Sequence, residues 1–172
     1  MFQGGRSALI NHHYFAGSQK YALDLIDLED GRLSSNPVAD LNQYKSFGRD
    51  VFSPVTGVVV AVENSLQDQK IGETDRKNPA GNHVVIRMGN NVYMMMAHLK
   101  SNSVSVAVGE NVTIGQKVGK IGNSGNTTQP HLHIQMMTQP IFSDSNSESV
   151  PFYIADDKKM RFYSRNDVIP GR

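Results

Sequence analysis

Cysteine is absent from this 172-residue chain. Its absence excludes a disulfide scaffold, a cysteine-ligated zinc finger, an iron–sulfur cluster and a thiol nucleophile. No apolar run approaches the roughly 20 residues that a membrane-spanning helix needs, so we expect no transmembrane segment. Neither sign of charge is in excess, since 17 Lys and Arg residues stand against 16 Asp and Glu residues, for a formal net charge of +1. This balance argues against nucleic acid as a partner.

The amino terminus also lacks the basic-then-apolar layout of a secretory signal peptide. We therefore expect either a cytosolic protein or an export segment that lies outside this sequence. A length of 172 residues suffices for one domain with a hydrophobic core and is short for two. We predict a single domain over residues 1–172.

Strand and turn signals dominate, whereas the periodicity of an amphipathic helix is weak throughout. Residues 51–62 predict a strand, a tight turn and a second, valine-rich strand. Residues 82–99 predict a hairpin around the turn Gly89-Asn90-Asn91. Two polar stretches, 63–81 and 143–149, are expected to be loops. The fold class is therefore predicted to be mainly β.

Histidine is concentrated in short motifs, and one of them has the spacing of half a metal site. Because side chains at i and i+2 of a strand share a face, His131 and His133 should project together. Two imidazoles supply half of the about four ligands that zinc needs. In a chain without cysteine, the remaining ligands must be histidines or carboxylates.

Two further polar residues belong to apolar runs. Asp24 lies inside the run 21–26, where a carboxylate is costly to bury unless it is paired or metal-bound. His98 ends the apolar run 93–97 and is expected to be half-buried beside a partner. His83 could belong to the site, but an exposed position on a strand explains it equally well.

Four motifs follow one another along the chain: Asn11-His12-His13, the segment QKYALD at residues 19–24, Ala97-His98-Leu99 and His131-Leu132-His133. Taken in this order, they resemble the M23 metallopeptidase family, which includes lysostaphin-like zinc endopeptidases. The resemblance covers roughly residues 10–155. It implies a single domain in which an antiparallel β-sheet carries a groove, with hammerhead-like β turns.

The resemblance also implies a set of zinc ligands and a catalytic pair. His13, Asp24 and His133 correspond to the ligands of one zinc ion per chain, and zinc lowers the pKa of a bound water to about 7. His98 and His131 correspond to the catalytic imidazoles. Our hypothesis is that His131 deprotonates the water and His98 supports the oxyanion, with the reverse assignment open. Substrate-binding residues are not identified.

The first motif departs from the commonest family pattern. His13 lies eleven positions before Asp24, whereas many members place this histidine a few residues before the aspartate. A longer-spaced variant with Asn-x-His exists in similar sequences and favours His13. His12 is the alternative first ligand.

The resemblance implies an endopeptidase that hydrolyses peptide bonds in the crosslinks or bridges of bacterial cell-wall peptidoglycan, and that acts outside the cytoplasm. The loops 63–81 and 143–149 would border its groove. One alternative is a catalytically inactive M23-like scaffold or activator that acts by binding proteins, which a substituted ligand would favour. Another is a lipoyl- or biotin-carrying domain, suggested by residues 54–59 and 109–119, although it leaves the histidine motif and Asp24 without a role.

Overall fold

The computed structural model describes residues 17–28, 32, 40–142, 145–155, 160, 161, 163 and 167. Over these residues the chain forms eleven strands and three one-turn 3-10 helices, the latter at Gly17–Gln19, Leu41–Gln43 and Gly89–Asn91. The strands are β1 (Leu23–Leu25), β2 (Asp50–Phe52), β3 (Gly57–Glu63), β4 (Asn82–Arg87), β5 (Tyr93–Leu99), β6 (Asn111–Val112), β7 (Lys117–Lys120), β8 (Leu132–Met137), β9 (Ser149–Val150), β10 (Ile154–Ala155) and β11 (Met160–Arg161). Within the described part of the chain, none of the helices has the length and apolar content to cross a membrane.

One antiparallel sheet dominates the structure. Its strands run in the order β1-β8-β5-β4-β3-β6, and β9 also pairs with β8. The predicted hairpin is confirmed as β4 and β5, joined through the 3-10 turn Gly89–Asn91. The β-branched run of residues 58–60 lies in β3, as such residues favour a pleated and partly buried surface. The mainly β, antiparallel fold class predicted from the sequence is confirmed.

Each face of this sheet carries a cluster of buried hydrophobic residues, and the two clusters differ in size. Met94 and Met96 of β5 face the larger hydrophobic core, whereas Met95 and Ala97 face a smaller cluster on the opposite side. Residue alternation explains the division, because neighbours in a strand point to opposite faces. The side with the smaller cluster also receives the polar residues described below.

Of the predicted loop 63–81, Glu63 instead ends β3, because its backbone pairs with that of His83 in β4, and the polar segment 64–81 is anchored on the glycine-containing turn 122–125. Asp68 accepts hydrogen bonds from the backbone N–H groups of Asn123 (2.7 Å) and Ser101 (3.1 Å). The Gln69 N–H donates to the carbonyl of Asn123 (2.9 Å). These bonds hold the long segment against the sheet.

Replacing Gly122 by alanine should loosen this attachment. A Cβ at Gly122 would overlap the backbone of Lys100 and approach the Asp68 carboxylate, whereas a Cβ at the equally buried Gly119 would come no nearer than 3.4 Å to Leu99 Cδ1. We expect Gly122→Ala to lower the free energy of unfolding by roughly 1–3 kcal/mol, the usual cost of overpacking. The matched control Gly119→Ala should cost less than about 1 kcal/mol. Equal costs in urea unfolding would contradict the packing described here.

Candidate metal centre

Asp24 and His133 form a buried pair at the centre of the site. They are direct cross-strand partners in β1 and β8, and both are almost inaccessible to solvent, at 2% and 1% exposure. Asp24 Oδ1 lies 2.9 Å from His133 Nδ1. The expectation that a carboxylate in the run 21–26 needs a partner is therefore confirmed.

Gln135 sets the orientation of the His133 ring. Its Oε1 lies 2.9 Å from His133 Nε2, while its Nε2 donates to the sulfur of Met137. A carbonyl oxygen can only accept, so this contact fits the tautomer of His133 with its proton on Nε2, in which Nδ1 carries a lone pair. That lone pair faces a carboxylate oxygen of Asp24.

Two acceptors that face each other in a buried site need a cation between or beside them, either a proton or a metal ion. Their separation of 2.9 Å is close to the about 3.3 Å that separates two ligands of a tetrahedral zinc ion bound at 2.0–2.1 Å. Imidazole nitrogen and carboxylate oxygen are ligands that zinc accepts, and zinc-binding histidines usually donate their other N–H to an acceptor, as His133 does to Gln135. The pair therefore fits a zinc ion.

A bulge in β5 brings His98 to the same face of the sheet. Ala97 and His98 both lie opposite His83 of β4, because the register shifts there. His98 has a φ of 59°, in the left-handed region that residues with a side chain seldom adopt. Strict alternation would have turned its side chain into the larger core with Met96; the extra residue turns it toward the metal pair instead.

His98 and His131 are held alike, each through Nδ1. The Nδ1–H of His98 donates to the carbonyl of Ser124 (2.9 Å), and that of His131 donates to the carbonyl of Gln129 (2.9 Å). In each ring Nε2 is the nitrogen left for other partners, and His131 Nε2 lies 3.5 Å from Asp24 Oδ1. The ring centroid of His98 lies 4.7 Å from that of His131 and 5.7 Å from that of His133.

The surroundings shift the pKa values of the two imidazoles in opposite directions. Burial, together with the neighbouring His131 and His133, lowers the pKa of His98 well below its ordinary value. Burial alone would also lower the pKa of His131, but attraction and hydrogen bonding to the Asp24 carboxylate raise it overall. A metal cation bound by Asp24 would offset the carboxylate charge and reduce that rise.

The structure brings four of the five predicted site residues together: Asp24, His98, His131 and His133. The fifth, His13, and its alternative His12 lie outside the described residues. The three described histidines also form a group whose ligand atoms lie within 4.8 Å of one another, so they could hold an ion by a different ligand set. The assignment of His13, Asp24 and His133 as ligands, and of His98 and His131 as catalytic, remains a prediction.

Sequence reasoning did not single out the residues that orient the rings. Gln135 lies two residues after His133 in β8, so the two side chains share a face of the sheet. The alternation of side chains along residues 131–135 would therefore have identified it from the sequence. The carbonyl groups of Ser124 and Gln129 carry no side-chain signal. Their part in the site depends on the path of the backbone.

A buried carboxylate–imidazole pair beside two oriented imidazoles is the kind of centre that metal-dependent hydrolases use. Residues 40–146 match the model of peptidase family M23. Because this match spans more than half of the chain, the protein belongs to peptidase family M23. The matched range includes His98, His131 and His133 and begins after Asp24.

Part of this chain is similar in sequence to curated relatives. It is 30% identical over 112 residues to the peptidoglycan DD-endopeptidase ShyA of Vibrio cholerae serotype O1, covering 65% of this chain and 23% of the relative. It is also 30% identical over 112 residues to the glycyl-glycine endopeptidase ALE-1 of Staphylococcus capitis, covering 65% of this chain and 30% of that relative. The alignments thus span less than a third of these relatives.

Among solved structures, the chain is similar to the catalytic domain of lysostaphin from Staphylococcus simulans. The alignment has 22% sequence identity and a TM-score of 0.46, and it covers 75% of this chain and 85% of that domain.

Removing the Gln135 acceptor should weaken metal binding. In Gln135→Leu the tautomer of His133 is no longer fixed by a hydrogen bond, so we expect zinc affinity to fall by about ten- to a hundredfold. Gln135→Glu keeps an acceptor oxygen and should retain the affinity within a few-fold. Competition with a chromophoric chelator measures both values. Wild-type affinity in Gln135→Leu would show that the ring orientation does not depend on Gln135.

Proposed function

We propose that this chain is a zinc-dependent endopeptidase that hydrolyses peptide bonds in bacterial cell-wall peptidoglycan. The observation that carries the proposal is the buried pair Asp24 Oδ1 and His133 Nδ1, which lie 2.9 Å apart, a separation that suits two ligands of one zinc ion. Two further imidazoles lie beside this pair: His131 Nε2 is 3.5 Å from Asp24 Oδ1, and the His98 ring centroid is 5.7 Å from that of His133. Membership of peptidase family M23 supports the reaction class.

Asp24 and His133 are the proposed zinc ligands on the described strands, and His13 is the proposed third ligand, with His12 as its alternative. One ion per chain is expected. When bound, zinc would supply a Lewis acid that lowers the pKa of a water molecule and polarises the scissile carbonyl. The carboxylate of Asp24 would offset part of the charge of the ion in this buried site.

His98 and His131 are the proposed catalytic residues. Each ring is fixed by an Nδ1–H donated to a backbone carbonyl, so that Nε2 is the atom that exchanges a proton with the reactants. A neutral ring accepts the proton of the attacking water at Nε2 and passes it to the leaving amine. A protonated ring donates a hydrogen bond from Nε2 to the developing oxyanion. The two residues divide these roles.

The names of the curated relatives support a peptidoglycan peptide as the substrate, because one is a peptidoglycan DD-endopeptidase and the other a glycyl-glycine endopeptidase. We propose that this chain acts on crosslinks or bridges of that polymer. Since the polymer lies outside the cytoplasm, an extracytoplasmic location is part of the proposal. Residues 1–172 are proposed to act as one domain.

Metal content tests the ligand assignment. We expect about one zinc per chain in the wild type and little in His133→Ala or Asp24→Ala, because each loses a ligand of the buried centre. His98→Ala and His131→Ala should retain the ion. Comparing His13→Ala with His12→Ala identifies the first ligand. Inductively coupled plasma mass spectrometry gives the stoichiometry, and a zinc-free wild type that cannot be reloaded would favour the inactive scaffold.

Turnover tests the catalytic pair. With purified sacculi as substrate, His98→Ala and His131→Ala should each lower kcat by at least about a hundredfold, in the range usual for proton transfer and oxyanion stabilisation. Chromatography of the released peptides measures the rate. Ile114→Ala, at a 70% exposed position in the turn between β6 and β7, is the matched control and should turn over as the wild type does. Retained activity in either histidine variant would remove that residue from the mechanism.

A further inference from the structure

A cleft lies over β3 and β4, and its lining includes Ala61, Glu63 and His83 of these strands. Residues 77–81 and 140–142 also line it. Phe142 lines the cleft and also contacts His133, with ring centroids 6.0 Å apart in an edge-to-face arrangement. Through Phe142 the cleft adjoins the proposed site of hydrolysis.

Most of the cleft surface is apolar, with contributions from Leu66, Pro79 and Ile141 among others. Ile141 is 60% exposed, which leaves an apolar side chain at the opening of the cleft. Such walls suit the methylene groups of a ligand better than its charged end. Lys77 also lines the cleft, with an exposed side chain, and no ion pair joins it to Glu63 among the described residues.

Glu63 supplies a fixed negative charge to this cleft. Its Oε1 accepts hydrogen bonds from the N–H groups of Asn64 (2.9 Å) and Ser65 (2.8 Å) and from the Ser65 hydroxyl (2.7 Å). The bonds from Ser65 lower the pKa of Glu63, so the carboxylate is ionised at neutral pH. Three bonds to one oxygen fix the group, and over the described residues no hydrogen bond is made to the other oxygen, Oε2.

His83 supplies a second acceptor beside it. Glu63 and His83 are direct cross-strand partners in β3 and β4, so their side chains share a face with Cβ atoms about 4.5–5.5 Å apart. The Nδ1–H of His83 donates to the carbonyl of Gly81 (2.8 Å). The ring is thereby oriented, and Nε2 of its neutral form is an acceptor.

We propose that this cleft binds a primary ammonium group on an aliphatic stem, carried as a diamino-acid side chain by the peptide substrate. Glu63 Oε2 and His83 Nε2 accept N–H bonds from the ammonium group, and the apolar walls pack against its methylene stem. The inference rests on the proposed function for the identity of the substrate, and it assigns Glu63 and His83 to substrate recognition. A charged donor opposite an ionised acceptor forms one of the stronger hydrogen bonds in proteins.

Binding by small probes tests the cleft without any need for hydrolysis. The probes are Nα-acetyl-lysine methylamide, its Nε-acetylated form and alanine methylamide, titrated into the isotope-labelled, zinc-loaded full chain. We expect the lysine probe to shift the amide resonances of residues 63–65 and 83. The acetylated probe should bind at least about tenfold more weakly, because it lacks the charge that Glu63 recognises. Alanine methylamide, whose amine has no aliphatic stem, should also bind more weakly.

Variants separate recognition from folding. Glu63→Gln keeps an oxygen that accepts from Asn64 and Ser65 but loses the charge. Its affinity for the lysine probe should therefore fall about tenfold or more. Glu73→Gln is the matched control, because Glu73 belongs to the same polar segment, is 61% exposed and pairs loosely with Lys70. Equal binding of the lysine probe by wild type and Glu63→Gln, or tighter binding of alanine methylamide than of the lysine probe, would overturn the inference.

A hydrolysis comparison separates this inference from the proposed function. Two crosslinked peptides that differ by acetylation of the diamino-acid side chain should differ about tenfold or more in kcat/KM for the wild type and little for Glu63→Gln. If both peptides are cleaved equally and no probe shifts residues 63–65, the inference fails and the proposed function stands. If neither peptide is cleaved while the lysine probe binds as expected, the proposed function fails and the amine-binding cleft stands.

Discussion

Asp24 Oδ1 and His133 Nδ1 face each other at 2.9 Å in a site that solvent does not reach. Gln135 Oε1 contacts the other ring nitrogen, which fits the tautomer of His133 with its proton on Nε2. A buried carboxylate beside a lone pair is costly unless a cation joins the two. The rings of His98 and His131 lie beside this pair, and each is oriented by a hydrogen bond from Nδ1 to a backbone carbonyl.

The sheet assembles the site through alternation and one departure from it. In β1 and β8 alternate residues are polar, so Asp24, His133 and Gln135 point to one face, which Met137 shares, while Leu23, Ile134 and Met136 point to the other. In β5 a bulge adds His98 to the polar face and places it in a left-handed backbone conformation. Backbone strain of this kind persists where the surrounding structure enforces it. Hydrogen bonds from the His98 N–H to Ala80 and from Gly122 to the His98 carbonyl hold it in place.

Alternation also makes much of the site predictable from the sequence. The period of two in HLH, and a lone carboxylate in an apolar run, point to His131, His133 and Asp24 without further information. The role of His98 follows from family resemblance, because strict alternation would place its side chain in the core and no local signal marks the bulge. The pairing of Glu63 with His83 depends on hairpin register across a loop of 18 residues, from 64 to 81. Nothing within either short segment of sequence specifies that register.

A zinc-edge anomalous diffraction map from crystals of the full chain would test the central claim most directly. The account predicts one anomalous peak bonded to His133 Nδ1, to the Asp24 carboxylate and to a histidine of the segment 11–13, at the about 2.0–2.2 Å typical of zinc. His98 and His131 would lie near the peak without bonding to it. A peak held instead by His98, His131 and His133, with Asp24 uninvolved, would contradict the assignment of ligands and catalytic residues.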